Sequence, residues 1–128
     1  MHKPLRTLIV DDEPLAIERL QILCARIADV SLIGTAPDGA AALRLIEALE
    51  PDLVLLDIQM PEMDGYEVLR EIRRDPRLKS LRVVALTAFA MQGDQERAMA
   101  AGFDDYLTKP VTAAKLKAQL KAGSEDRA

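Results

Sequence analysis

The chain has 128 residues, of which 49% are apolar and 30% are charged, and its formal net charge at pH 7 is −4. That length and balance predict one globular domain and exclude an intrinsically disordered chain. The negative net charge disfavours direct binding to nucleic acid or to an anionic membrane surface.

Cysteine and histidine each occur once, which limits the disulfide, metal-binding and catalytic chemistry that the chain can support. The single cysteine, Cys24, lies in an apolar helical pattern, so we expect it in the core, and it cannot form a disulfide within one chain. The single histidine, His2, lies near the N-terminus, which disfavours histidine-based catalysis and zinc sites. The N-terminal sequence contains no apolar stretch long enough for a signal peptide or a membrane span, so we expect a cytoplasmic protein.

The first half of the chain predicts two strand–helix units. The first predicted strand is Thr7–Val10, and a helix follows it from about Pro14, a residue favoured in a first helical turn. The second predicted strand, Val30–Gly34, precedes a helix with Asp38 as its N-cap. Apolar residues at helical spacing predict the buried faces, which are Ala16, Leu20, Leu23 and Ile27 in the first helix and Ala42, Leu45, Ile46 and Leu49 in the second.

Two further units follow. The third predicted strand, Leu53–Leu56, leads to a helix that Asp64 caps. The fourth predicted strand, Leu81–Leu86, leads to a helix over Asp94–Ala101, which ends at Gly102 because glycine readily takes the left-handed conformation of a helix end. A basic run lies around the start of this unit, and we expect a solvated helix end and loop rather than a phosphate-binding patch. It comprises Arg70, Arg73, Arg74, Arg77, Lys79 and Arg82.

The last unit is a short predicted strand, Asp105–Leu107, and a helix from about Thr112. We expect residues 1–122 to form the domain and residues 123–128 to be a flexible polar tail. The strict alternation of strands and helices predicts an α/β fold with a parallel sheet covered by helices on both faces. The first, third and fourth strands are nearly continuous apolar runs, as central strands require, whereas the second and fifth suit the sheet edges.

Polar residues follow the carboxyl ends of these strands, where parallel α/β sheets bind their ligands. Asp11 and Asp12 follow the first strand, Asp57 the third, Thr87 the fourth and Lys109 the fifth. Each residue alone has a simpler interpretation, as a helix cap, a strand residue or a solvated loop cation. Their shared position at strand ends favours one common site.

Four motifs in this order, VDDEP, LLDIQMP, ALTAF and YLTKP, resemble those of bacterial response-regulator receiver domains over about Leu5 to Leu120. The resemblance implies a flavodoxin-like, doubly wound (βα)5 sheet with strand order 2-1-3-4-5. It also implies a cis peptide bond between Lys109 and Pro110. The alternation of elements by itself predicts only a parallel α/β sheet.

The resemblance implies a chemistry for the carboxylates. Asp12 and Asp57 would ligate Mg²⁺ together with the backbone carbonyl of Gln59, and Asp11 would hold a metal-bound water. Asp57 would be the nucleophile that accepts a phosphoryl group from the phosphohistidine of a sensor histidine kinase or a histidine phosphotransfer protein. Lys109 and the Thr87 hydroxyl would stabilise the charge of the transferred group.

The same resemblance implies a switch. Thr87 would move toward the phosphoryl group and Tyr106 would swing inward, which would change the surface of the fourth helix, fifth strand and fifth helix that contacts a downstream protein. Without the resemblance, Tyr106 would be an edge-strand aromatic that covers the core. Phe89, Met91 and Met99 could form a docking face or simply pack the fourth helix, and we expect Phe89 to shield the acyl phosphate from water.

Three other functions are compatible with parts of the pattern. A small Mg²⁺-dependent phosphohydrolase of the haloacid-dehalogenase type is disfavoured, because its second aspartate is replaced here by Gln59. An inert receiver is disfavoured because each acceptor-site residue is present. The main alternative to a free-standing relay is a receiver cut from a longer DNA-binding regulator. The initiating methionine and the short tail favour the free-standing relay. We expect no enzyme activity beyond self-phosphorylation and dephosphorylation, and a monomer or a phosphorylation-dependent dimer.

Overall fold

A parallel five-stranded sheet forms the centre of the protein in the computed structural model, which describes residues 3–88 and 93–127, with residues 121–127 by their backbone only. The strands are β1 Leu5–Val10, β2 Val30–Ala36, β3 Leu53–Asp57, β4 Arg82–Thr87 and β5 Asp105–Thr108. The helices are α1 Pro14–Ala25, α2 Gly39–Leu49, α3 Gly65–Arg74, α4 Asp94–Ala101 and α5 Ala113–Arg127, with one 3-10 turn at Pro76–Leu78. The strand order is β2-β1-β3-β4-β5, so the predicted fold class, strand order and edge strands are confirmed.

The strand register brings the expected site residues to one edge of the sheet. Val10 pairs with Leu56, so the residues that follow them in the chain, Asp11 and Asp57, lie side by side. At the other side of β4, Thr87 pairs with Thr108, which directly precedes Lys109. Four residues that are far apart in the sequence therefore meet at the carboxyl ends of four neighbouring strands.

Two apolar clusters cover the two faces of the sheet. Alternate residues of a strand point to opposite faces, so Val54 and Leu56 of β3 pack under α2, α3 and α4, whereas Leu53 and Leu55 pack under α1 and α5. Both sets are buried, which explains why the central strands read as unbroken apolar runs. Cys24 is buried on the α1 side, as predicted.

The helix boundaries agree with the expected capping residues. The Asp38 carboxylate accepts a hydrogen bond of 2.8 Å from the Ala41 N–H, and the Asp64 carboxylate accepts one of 3.0 Å from the Glu67 N–H. Helix α4 ends at Gly102, whose φ of +115° lies in the left-handed region. Helix α5 continues to Arg127, beyond the expected domain end at residue 122, and the mobility of the final residues stays a prediction.

The expectation that the basic run is solvated is wrong for two of its members. The Arg73 side chain is only 27% exposed and the Arg82 side chain only 12%. Arg73 donates hydrogen bonds to Leu81 O, Gly102 O and Asp104, and Arg82 donates one to Gln119. A guanidinium can lie inside a fold when carbonyl and carboxylate oxygens receive its N–H groups, so these two arginines are structural.

Among the residues that the structure describes, no helix is both long enough and apolar enough to cross a lipid bilayer.

Candidate functional site

Three carboxylates lie together at the carboxyl ends of β1 and β3. Oxygen atoms of Asp11, Asp12 and Asp57 all lie within 4.8 Å of one another. Asp11 is fully buried and Asp57 is 2% exposed, while Asp12 lies nearer to solvent. Two full charges about 4 Å apart repel by roughly 4 kcal/mol at an effective dielectric constant of 20, so this group needs positive charge nearby.

Lys109 supplies part of that charge. Its Nζ donates a hydrogen bond of 2.7 Å to Asp11 Oδ2 and lies 3.4 Å from Asp57 Oδ1. Burial disfavours the ammonium charge, but the hydrogen bond from Lys109 to Asp11 and the charge of Asp57 together raise the pKa of Lys109 above its usual value. The Lys109–Pro110 peptide bond is cis, as the resemblance implied.

Asp57 carries a strongly perturbed carboxyl group. Burial, and then the neighbouring charge of Asp11, raise its pKa from 3.8 to about 7, although Lys109 acts in the opposite direction. Its Oδ1 atom is buried and receives no hydrogen bond from any of the described residues, because the Lys109 ammonium at 3.4 Å is an ion-pair contact only. A buried carboxylate oxygen without a hydrogen bond is costly unless another group binds it.

This donor set fits Mg²⁺. The ion prefers oxygen ligands, keeps several of its waters and is commonly held by one or two carboxylates. Asp12 and Asp57 offer such carboxylates, and Asp57 Oδ1 receives no hydrogen bond within the described part of the chain. The backbone carbonyl of Gln59, two residues after Asp57, stays the third ligand expected from the resemblance. Asp11 is less available as a direct ligand, since its Oδ2 accepts from Lys109 and its Oδ1 accepts from the Glu13 N–H at 3.0 Å.

The sequence analysis missed Gly65 as a residue that shapes this site. A Cβ atom at Gly65 would lie 2.7 Å from the Asp57 backbone oxygen and 2.8 Å from Ile58 Cα, so only glycine fits there. The Gly65 N–H also donates to Ile58 O at 2.9 Å, which holds the loop after Asp57 against the start of α3. The Asp-Gly pair that opens α3 was the available signal.

The expected switch residues lie on the β4–β5 side of the same edge. Thr87 is 2% exposed, and its hydroxyl donates a hydrogen bond of 3.2 Å to Gln59 Oε1. Tyr106 is half-buried against the cluster under α2, α3 and α4, and burial followed by the charge of Asp94 raises its pKa. Met99 is 43% exposed on α4, whereas Phe89 and Met91 lie outside the described residues.

Comparisons with known proteins agree on one family. The family model described as response regulator receiver domain matches residues 7–121. The chain is 39% identical over 104 residues to an uncharacterized 14.6 kDa protein of Leptolyngbya boryana, an alignment that covers 81% of this chain and 78% of the relative. It is 37% identical over 118 residues to the response regulator PleD of Caulobacter vibrioides, covering 91% of this chain and 25% of PleD.

A second curated relative is also longer than this chain. The DNA-binding dual master transcriptional regulator RpaA of Synechocystis sp. is 37% identical over 117 residues, covering 91% of this chain and 48% of RpaA. The chain thus spans about half of RpaA and a quarter of PleD. Among solved structures, it resembles the receiver domain of the putative regulator NarL from Mycobacterium tuberculosis, with a TM-score of 0.85, 33% identity and coverage of 95% and 98% of the two chains.

Proposed function

Because this chain belongs to the response-regulator receiver family, we propose that it is a switch that accepts a phosphoryl group on Asp57 and signals to a partner protein. The observation that carries the proposal is the state of Asp57. Its carboxylate is buried, one oxygen receives no hydrogen bond within the described part of the chain, and a lysine and two further carboxylates surround it. A nucleophile for phosphoryl transfer needs such an available oxygen in a site built for charge neutralisation.

The transfer is a displacement at phosphorus. An Asp57 carboxylate oxygen forms a bond to the phosphorus of a phosphohistidine on a histidine kinase or a histidine phosphotransfer protein. The bond from phosphorus to the imidazole nitrogen breaks, and that nitrogen leaves with the electron pair. The product is an aspartyl phosphate, and the histidine is supplied by the donor.

The residues around Asp57 act on the charge of the transferred group. Lys109, which already contacts Asp11 and Asp57, would donate to a phosphoryl oxygen, and the Thr87 hydroxyl would donate to another. Asp12, Asp57 and the Gln59 carbonyl would hold Mg²⁺, and Asp11 would act through a bound water. Bound Mg²⁺ would supply additional neutralisation of the phosphoryl and carboxylate oxygens.

The surface of α1 offers a place for the phosphodonor. Leu15 is 67% exposed and Ile22 is 49% exposed, seven positions apart and therefore on one side of this helix. A groove between α1 and the segment after β5 is lined by Leu20 and Leu23 of α1 and by Lys109 and Pro110. A partner that covers this apolar surface would be held next to the site, since Lys109 belongs to both.

The output would run through Thr87 and Tyr106 to the face formed by α4, β5 and α5, where we place the contact with a downstream protein. A change of the switch from 1:99 to 99:1 needs about 5.5 kcal/mol of differential binding, which a doubly charged group near Lys109 and Mg²⁺ is suited to provide. We propose that this phosphoryl transfer and signalling take place in the cytoplasm, without direct contact between the protein and nucleic acid or membrane. The protein would remain a monomer or dimerise when phosphorylated.

Intact-mass measurement with a small phosphodonor tests the proposal directly. The protein is incubated with acetyl phosphate in the presence of Mg²⁺ and, in parallel, with a chelator. We expect one added phosphoryl group with Mg²⁺ and almost none with the chelator. The Asp57→Asn variant should gain no mass, because an amide cannot attack phosphorus in this way.

Two results would contradict the proposal. Phosphorylation that persists in Asp57→Asn would place the acceptor elsewhere. Continuous release of free phosphate at enzyme-like rates would favour a phosphohydrolase, which the amide of Gln59 disfavours because it cannot act as a general acid.

A further inference from the structure

The hydroxyl group of Thr87 already has an acceptor in this structure. It donates to Gln59 Oε1 at 3.2 Å, across the gap between the loop after β3 and the end of β4. Thr87 is 2% exposed, whereas Gln59 is exposed. A buried hydroxyl is therefore held by the side chain of a residue that lies at the surface.

A threonine hydroxyl has one hydrogen to donate. While that hydrogen is given to Gln59 Oε1, it is not given to a phosphoryl oxygen on Asp57. We infer that the Gln59 side chain is a latch that holds Thr87 in the unphosphorylated arrangement and biases the switch toward its off state. This inference rests on the proposed function and adds a positioning role for Gln59 that is separate from the use of its backbone carbonyl.

Backbone hydrogen bonds hold the strand ends on both sides of the latch, so we assign the response to the side chains of Gln59 and Thr87. The Lys109 N–H donates to Thr87 O at 2.7 Å, and the Ile58 N–H donates to Leu86 O at 3.0 Å. These bonds tie the end of β4 to β5 on one side and to the segment after Asp57 on the other. When the latch opens, water can replace the Thr87 hydroxyl as the donor to the exposed Gln59 amide oxygen. The free-energy cost of opening is therefore about that of exchanging one hydrogen bond.

Beryllofluoride, which forms a non-covalent mimic of an aspartyl phosphate, is the probe for the test. Its affinity is measured by calorimetry in the presence of Mg²⁺ for the wild type and for Gln59→Met, which keeps the side-chain length and removes the amide oxygen. We expect Gln59→Met to bind beryllofluoride about fivefold more tightly. The hydrogen bond from Thr87 to Gln59 is absent in this variant, so its net free energy no longer stabilises the off state.

A double-mutant cycle shows whether Thr87 mediates the effect. In the Thr87→Val background the latch is already absent, so adding Gln59→Met should leave the affinity unchanged. The exposed Gln21→Met on α1 is the matched control and should leave the wild-type affinity unchanged. Gln59→Leu provides a second variant without the amide, and its folding is checked by circular dichroism.

Each remaining outcome decides against the inference. Unchanged or weaker beryllofluoride binding in both Gln59 variants would overturn the latch, and so would equal tightening in the Thr87→Val background. If the wild type itself binds no beryllofluoride with Mg²⁺ present, the proposed function fails, and the latch fails with it. The wild-type titration therefore separates the two failures.

Discussion

Among the individual residues, Asp57 couples the chemistry of the site to the stability of the fold. Burial and the charge of Asp11 raise its pKa from 3.8 to about 7, so the folded protein holds this proton more tightly than the unfolded chain does. The stabilising effect is fully present below the unfolded pKa and is lost as the pH rises through the folded pKa. In a chelator, the free energy of unfolding should therefore fall by about 2 kcal/mol between pH 5 and pH 8.

The Asp57→Asn variant isolates this contribution, because its amide does not titrate. Urea unfolding of both proteins is measured at several pH values in EDTA, and the difference between their free energies of unfolding is compared. As the pH rises, the free energy of unfolding of Asp57→Asn should increase relative to that of the wild type. A difference that is independent of pH over this range would contradict the raised pKa.

At the scale of secondary-structure elements, Arg73 ties three parts of the fold together. From the end of α3 its guanidinium donates to Leu81 O before β4 at 3.0 Å and to Gly102 O after α4 at 3.0 Å, and it pairs with Asp104 before β5 at 2.9 Å. Asp104 in turn accepts from the Val83 N–H at 2.7 Å. Arg73→Met should lower the free energy of unfolding by about 2 kcal/mol, because two carbonyl groups lose the arginine donor and Asp104 keeps only one of these two donors, the Val83 N–H.

The neighbouring Arg74 is the natural control for that substitution. Its side chain is 70% exposed and, within the described part of the chain, pairs with Glu71 one helical turn away. Arg74→Met should change the free energy of unfolding by less than about 0.5 kcal/mol, since exposed ion pairs contribute little. Chemical denaturation of the two variants side by side checks the contrast, and equal losses would refute the role of Arg73.

At the scale of the whole molecule, the parallel sheet gathers like charges at one edge, so a ligand of that edge should stabilise the entire domain. Free Mg²⁺ at ten times its own dissociation constant should add about 1.4 kcal/mol to the free energy of unfolding. For a domain of this size the melting temperature should rise by about 3–6 °C. Thermal unfolding at increasing Mg²⁺ concentrations measures the effect.

Asp12→Asn should remove most of the Mg²⁺-dependent rise, since it takes away a carboxylate of the cluster without disturbing the buried pair of Asp11 and Lys109. Asp29→Asn makes the same change of charge on an exposed loop before β2 and should respond to Mg²⁺ like the wild type. An equal loss of response in both variants would mean that Mg²⁺ acts on net charge rather than at this site.

The sequence predicted the parts of this structure whose causes are local. The apolar runs of β3 and β4 are the direct consequence of burial on both faces, so their positions follow from the residue pattern alone. Asp38 and Asp64 cap helices because their carboxylates reach N–H groups three residues on. The residue pattern did not locate the end of α5 at Arg127, since its last, polar residues carry no apolar pattern.

The sequence by itself determined the kind and order of the elements, because helix and strand periods repeat over a few residues. The tertiary structure decided which distant groups meet: Lys109 with Asp11, 98 positions apart, Arg73 with Gly102, 29 apart, and Thr87 with Gln59, 28 apart. Hydrogen bonds of this kind depend on strand order, register and loop shape together. No local pattern in the chain encodes those, and the strand order itself was expected only from the resemblance to receiver domains.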